Sequence, residues 1–174
     1  MTVADLTVAP LRRRHLRAVM GIERAVYPHP WTEPLFVSEL ALPASRVYLV
    51  ARANRTVVGY GGIMLAPDEA HVTTLAVHPD WQRRHVATRL LAALLRAAIE
   101  RAYRALTLEV RAGAHGAQEL YRRFGLSAVG VRAGYYTHPG EDAVVMWVRE
   151  IDTPEYDRRL GDLEARAVGA EGSR

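Results

Sequence analysis

A single α/β domain on a mixed central sheet of about seven strands, flanked by about four helices and followed by a C-terminal helical extension, is the fold this sequence predicts. Short apolar–polar alternations and helical-period stripes succeed one another in the order β α α β β β α β α β β. The strongest stripe, Val86, Leu90, Leu91, Leu94, Leu95, Ala98 and Ile99, leaves Arg89, Arg96 and Glu100 outside it, as a long helix packed on a sheet does. The chain's 174 residues, 49% hydrophobic and 24% charged, suit one domain whose core needs no disulfide or structural metal. That domain is expected over residues 1–151, with 152–174 forming a helix and a loose tail.

Residues 2–8 alternate apolar and polar like a short strand. Pro10 fits the first turn of a helix carrying Leu11, His15, Leu16, Val19, Met20 and Ile22 on one side. The segment Tyr27-Pro28-His29-Pro30-Trp31 stops that helix. Thr32 caps a second, short one ending near Pro43, with Trp31 and Phe36 as the two ends of a hydrophobic staple. Val47 to Ala53, Thr56 to Leu65 and Glu69 to Val77 read as an antiparallel meander, its first two strands joined by a tight turn at Asn54-Arg55. Beyond the long helix, Ala105 to Val110 sets Leu106, Leu108 and Val110 against Thr107 and Glu109. A shorter helix then spaces Ala117, Leu120, Tyr121 and Phe124, and Gly125 ends it. Two strands, about Ala128 to Tyr136 and Ala143 to Arg149, surround the turn His138-Pro139-Gly140-Glu141, and a last helix is expected from Pro154 to Val168.

Composition removes several function classes. Cysteine is absent, which excludes a thiolate nucleophile, a disulfide framework and zinc knuckles. Serine occurs only at Ser38, Ser45, Ser127 and Ser173, none of them in a G-x-S-x-G elbow, which argues against a serine hydrolase. All 23 basic residues are arginine, set against 19 acidic ones for a net charge of +4. A charge so thinly spread predicts no direct nucleic-acid binding but suits a phosphate-bearing small ligand, and Arg12-Arg13-Arg14 reads as the solvated face of the first helix. No basic-then-apolar leader and no membrane-length apolar run occur, so a cytoplasmic location without a membrane partner is expected.

The loop Gln82-Arg83-Arg84-His85-Val86-Ala87 opens the long helix. Unpaired N–H groups and the positive end of the helix dipole make such a loop a pyrophosphate cradle, here reinforced by two arginines. Gly59-Tyr60-Gly61-Gly62 is no dinucleotide fingerprint, since Met64 stands where the third glycine belongs. A lysine-free chain also has no Walker loop. The seven histidines show no ligand spacing; His71 and His78 read as surface or hydrogen-bonded residues, and no metal is expected.

Five strings, in order, resemble the GNAT acetyltransferases, and among them the RimI-type ribosomal-protein-alanine N-acetyltransferases. They are Thr74-Leu75-Ala76-Val77-His78-Pro79, Gln82 to Ala87, Leu108-Glu109-Val110-Arg111, Leu120-Tyr121-Arg122-Arg123-Phe124-Gly125, and Tyr135-Tyr136 with Glu141-Asp142-Ala143. Pro30-Trp31-Thr32-Glu33 and Phe36 match as well, so the likeness spans roughly residues 5 to 150. It implies the GNAT fold and direct acetyl transfer from acetyl-CoA to an amine, which agrees with the missing cysteine. It further implies that Glu109 is the general base and Tyr121 the acid that protonates the departing thiolate. Acetyl-CoA would meet backbone groups of Leu75, Ala76 and Val77 and be held by Gln82, Arg83, Arg84, His85, Val86, Ala87 and Thr88, and at Ala114. Trp31, Phe36, Tyr135 and Tyr136 would line the substrate path, although alternation lets only one of the two tyrosines face it and sends the other to the core.

Two positions depart from the family pattern. His85 stands where a glycine is usual, and Ala114 where an asparagine is expected, which together predict weaker acetyl-CoA binding. The implied substrate is a protein or peptide N-terminus, for instance N-terminal alanine of a ribosomal protein. An α-amino group costs roughly 3.5 kcal/mol less to deprotonate than lysine. Two alternatives stay open: a small-molecule amine such as an aminoglycoside, polyamine or amino acid, and a GNAT-like binding module whose cofactor loop is impaired. A monomer or weak dimer is expected.

Overall fold

The structure, a computed structural model, describes residues 6–137 and 140–169. The chain runs β1 (Leu6–Pro10), α1 (Leu16–Val26), α2 (Glu33–Leu40), β2 (Arg46–Ala53), β3 (Thr56–Leu65), β4 (Ala70–Val77), α3 (Val86–Glu100), β5 (Ala105–Arg111), α4 (His115–Arg123), β6 (Ser127–Thr137), β7 (Gly140–Arg149) and α5 (Pro154–Gly169). The start of the first expected strand, the His138-Pro139 turn and the end of the tail lie outside the described residues.

The N-terminal reading needs one correction. Pro10 closes a strand instead of opening a helix, pairing with Leu49 in β2. The strand β1 lies at the sheet's edge, where a residue without an N–H is tolerated. A single 3-10 turn, Arg13–His15, then leads into α1, and His15 Nδ1 accepts a hydrogen bond from Arg12 N at 2.9 Å.

Seven strands form one sheet in the order β1-β2-β3-β4-β5-β7-β6. Every pairing is antiparallel except β4 with β5. That parallel pair is held only at Ala70↔Leu106 and His71↔Thr107. Both strands continue beyond those residues without pairing to each other, so the sheet forks there.

Helices cover both faces. On one, the buried stripe of α3 joins Leu106, Leu108, Phe124 and Met146, and α5 adds Tyr156 and Leu160 to the same cluster. The helix α5 is tied down by Arg96 of α3, which pairs with Asp157 and, at 2.6 Å, with Glu164, and by a 2.6 Å bond from the Tyr156 hydroxyl to the Phe124 carbonyl. Glycine explains how closely α3 approaches the sheet: a Cβ on Gly59 would lie 3.0 Å from Val86 Cγ1, and one on Gly61 3.1 Å from Leu94 Cδ1. The glycines that failed as a nucleotide motif thus serve helix–sheet packing. On the other face α1 and α2 bury Leu16, Val19, Ile22 and Phe36 against Tyr60.

Candidate active site

A cavity of about 570 Å³ fills the fork between β4 and β5. Neighbouring strand residues point to opposite faces. Leu108 and Val110, in the α3-side core, line the cavity, and so do Glu109 and Arg111 between and beyond them. The cavity therefore passes through the sheet. From one side α4 supplies Ala117 and Tyr121, with Ala114 at its N-cap; from the other come Glu23, Tyr27 and Trp31, while β6 supplies Tyr135 and Tyr136.

Glu109 sits deep in this space, its side chain 12% exposed. Its Oε2 lies 3.0 Å from His71 Nε2 and its Oε1 3.5 Å from Arg132 Nη2. Tyr121 is buried, which raises its pKa above the usual 10 and keeps the phenol neutral. Its hydroxyl takes no side-chain or backbone hydrogen bond among the described residues. A neutral proton donor and a carboxylate thus line the same cavity from opposite faces of the sheet.

Sequence reasoning missed three residues here. Glu23 is 2% exposed, and its carboxylate accepts hydrogen bonds from Trp31 N at 3.0 Å and from the Tyr60 hydroxyl. A signal for it existed: Leu16, Val19, Met20, Glu23 and Tyr27 follow helical spacing, so a carboxylate stands on the apolar stripe of α1. Tyr27 donates from its hydroxyl to the Leu75 carbonyl at 3.0 Å, tying the end of α1 to β4. Burial, with Glu23 nearby, pushes its pKa up to about 12. His71, read as a surface or hydrogen-bonded residue, is the last β4 residue to pair with β5 and partners Glu109.

Two substrate-path expectations change. Trp31 lines the cavity, but Phe36 is fully buried against Tyr60, with ring centroids 5.8 Å apart, and cannot wall a groove. Thr32 caps α2 by accepting from Leu35 N at 3.3 Å, which makes Phe36 the inner end of the staple, 5.1 Å from the Trp31 ring. Tyr135 and Tyr136 both line the cavity and neither joins the core. The β6–β7 register breaks between Arg132 and Tyr136, and Gly134 takes φ +61° while its N–H donates to Asp142 Oδ1 at 2.8 Å. That irregularity cancels the alternation which would have turned one ring inward. The two rings meet edge to face at 5.1 Å, and the Arg111 guanidinium lies 4.0 Å from the Tyr136 ring centroid.

A second cavity, about 350 Å³, opens at the N-terminus of α3. Val77, Gln82, Arg83, His85, Val86, Ala87 and Thr88 line it, joined by Trp81 and by Gly116, Leu120 and Arg123 of α4. Leu75 and Ala114 face the first cavity instead, and the side chain of Ala76 is buried in the core. Arg84 is not part of the lining: its guanidinium lies 5.0 Å from the Trp81 ring centroid. Arg83 and His85 both adopt left-handed backbone, at φ +60° and +61°, which strains a residue bearing Cβ. Among the described residues no carboxylate lines this cavity and Arg83 and Arg123 do, whereas the first holds Glu23 and Glu109.

A sheet that forks at the one parallel pair among the described residues, with a long helix opening onto one cavity and a phenol and a carboxylate lining another, suits an α/β enzyme whose two ligands meet at the fork. Residues 16–126 match the family described as Acetyltransferase (GNAT) family. The chain belongs to the GNAT acetyltransferases and is an N-acetyltransferase of the RimI type. It is 35% identical over 147 residues to the N-alpha-acetyltransferase RimI of Mycobacterium tuberculosis, across 81% of this chain and 90% of that relative. To the ribosomal protein bS18-alanine N-acetyltransferase of Escherichia coli (strain K12) it is 31% identical over 142 residues, across 80% and 95% of the two chains. The crystal structure of the ribosomal-protein-S18-alanine N-acetyltransferase from Escherichia coli superposes with a TM-score of 0.76 at 30% identity, covering 83% of this chain and 94% of that one. No helix among the described residues is long and apolar enough to cross a membrane.

Proposed function

We propose that this enzyme moves the acetyl group of acetyl-CoA to the N-terminal α-amino group of a protein, with N-terminal alanine of a ribosomal protein as its substrate. The observation that carries this reading is the two-sided passage with Glu109 and Tyr121 on its walls. The α3 end suits acetyl-CoA: the first-turn N–H groups of Val86, Ala87 and Thr88, with Arg83 and with Arg123, whose Nη2 also lies 3.7 Å from Glu119 Oε1, match a pyrophosphate. Acetyl-CoA supplies the activated thioester. Glu109 marks the base side, where the incoming ammonium gives up its proton, and Tyr121 gives a proton to the departing sulfur. Trp31, Tyr135 and Tyr136 flank the path of the peptide, while Glu23 and Glu109 favour a positively charged amine on that side.

Thiol release from acetyl-CoA, measured with an Ala-initiated peptide and with the same peptide N-terminally blocked, tests the proposal. Release is expected from the free-amine peptide alone. Equal release from both, or release only with polyamines or aminoglycosides, would discard it.

His85→Gly supplies a second expected result. Glycine relieves the left-handed strain at the N-cap of α3, so stability should rise by about 1 kcal/mol, or roughly 2–4 °C in Tm. Removing the Cβ also lets the backbone approach a phosphate, so acetyl-CoA should bind more tightly in calorimetry. An unchanged affinity would mean that the imidazole, which lines the cavity, replaces what the glycine would have offered.

A further inference from the structure

The base side of the passage holds two groups and not one. Glu109 Oε2 is 3.0 Å from His71 Nε2, and Glu109 Oε1 is 3.5 Å from Arg132 Nη2, so each carboxylate oxygen already has a side-chain nitrogen beside it. The imidazole side chain is 24% exposed, twice the 12% of Glu109, and both residues line the cavity. His71 stands at the last β4–β5 pair before the strands part, which puts its ring at the apex of the fork.

Resting on the acetyl transfer proposed above, we propose that the base is a His71–Glu109 pair in which the substrate's proton comes to rest on His71 Nδ1 and Glu109 orients the imidazole. A carboxylate beside Nε2 selects the tautomer protonated there, which leaves Nδ1 with a lone pair. Among the described residues Nδ1 has no partner. Chemical matching favours the same assignment, since a neutral imidazole is the commonest general base of enzymes.

The ammonium gives one proton to Nδ1, and the freed amine attacks the thioester carbonyl. The N–C bond forms, the C–S bond breaks, and the thiolate takes a proton from Tyr121. Tyr121 is restored by the surplus proton left on nitrogen, and the imidazolium returns its own to solvent. The other charged or titratable groups around this pair are Arg111 of β5, Arg132, Tyr135 and Tyr136 of β6, Glu23, Tyr27 and His29 of α1 and the loop after it, and Tyr121 of α4.

The test uses the whole chain, acetyl-CoA and an Ala-initiated peptide, with ¹⁵N NMR of the His71 ring as a readout independent of turnover. His71→Gln, whose amide nitrogen can still reach Glu109, should lower kcat about 100-fold with little change in peptide KM. Its remaining rate should climb with pH as free amine accumulates. In His71→Ala, added imidazole should restore rate at least severalfold, which no purely structural role explains. In the unmodified protein the neutral ring should carry its proton on Nε2, and Glu109→Gln should weaken that preference. Full activity in His71→Gln, absence of imidazole rescue, or an Nδ1-protonated ring would each overturn the pair. Should the unmodified enzyme leave the peptide untouched, the substrate assignment fails by itself, and the NMR readout still decides the pair.

Discussion

Tyr121→Phe is expected to lower kcat on an Ala-initiated peptide by about 100-fold, the typical weight of a positioned general acid. The KM for acetyl-CoA should stay within about twofold, because the change removes an interaction made as sulfur departs and not one made on binding. Stability should barely move. The ring remains packed in the α3-side core, and the lost hydroxyl has no hydrogen-bond partner there to be orphaned. The pH profile adds a sign. A phenol donates only while protonated, and burial raises this one above 10, so it stays competent through the whole range below that. An alkaline fall in rate between about pH 8 and 10 therefore belongs to another group, and the variant and the parent should show it alike. An unchanged kcat would reduce Tyr121 to a core aromatic.

Glu23→Ala should cause the largest loss of stability, about 3 kcal/mol or a Tm lower by roughly 6–12 °C. The carboxylate is 2% exposed and holds two donors, the Trp31 N–H and the Tyr60 hydroxyl, which alanine would leave without this acceptor. Activity should suffer separately. Trp31 lines the passage and is anchored through its own backbone to Glu23, so releasing it should raise the peptide KM more than it lowers kcat. Glu23→Gln, which keeps an acceptor oxygen, should show less of both effects. Denaturant unfolding and steady-state kinetics separate the two, and a loss below about 1 kcal/mol would show that water or backbone shifts satisfy the freed donors.

What could be read from the chain and what could not divide along physical lines. Periodicity marks α3 and β5 because each is set by its own residues; the stripe from Val86 to Ile99 and the alternation around Glu109 need no partner to be recognised. The fork does not share that property. It depends on where β4 stops pairing with a strand some 35 residues later, and no local pattern near His71 or Thr107 records it. For the same reason the alternation predicts that Glu109 leaves the leucine face but is silent on what it meets. Tyr135 and Tyr136 show local reading failing outright, since one register break beside Gly134 overrides a strict period of two. Phe36 illustrates a different limit: one motif supported both a staple and a groove wall, and only burial decides between them. Arg123 and Trp81 join the α3 cavity through the packing of α4 and of the turn before α3, which the helix dipole does not encode.

The break between β4 and β5 gives the enzyme a corridor with two doors. A bulky nucleotide thioester and a tethered protein tail can each keep to their own side of the wall and meet only at their reactive tips. Neither blocks the other's exit, so a large folded substrate need thread no more than its first residues, and whatever follows stays outside. Selection can then act on a few terminal atoms while remaining indifferent to the size of the body that carries them.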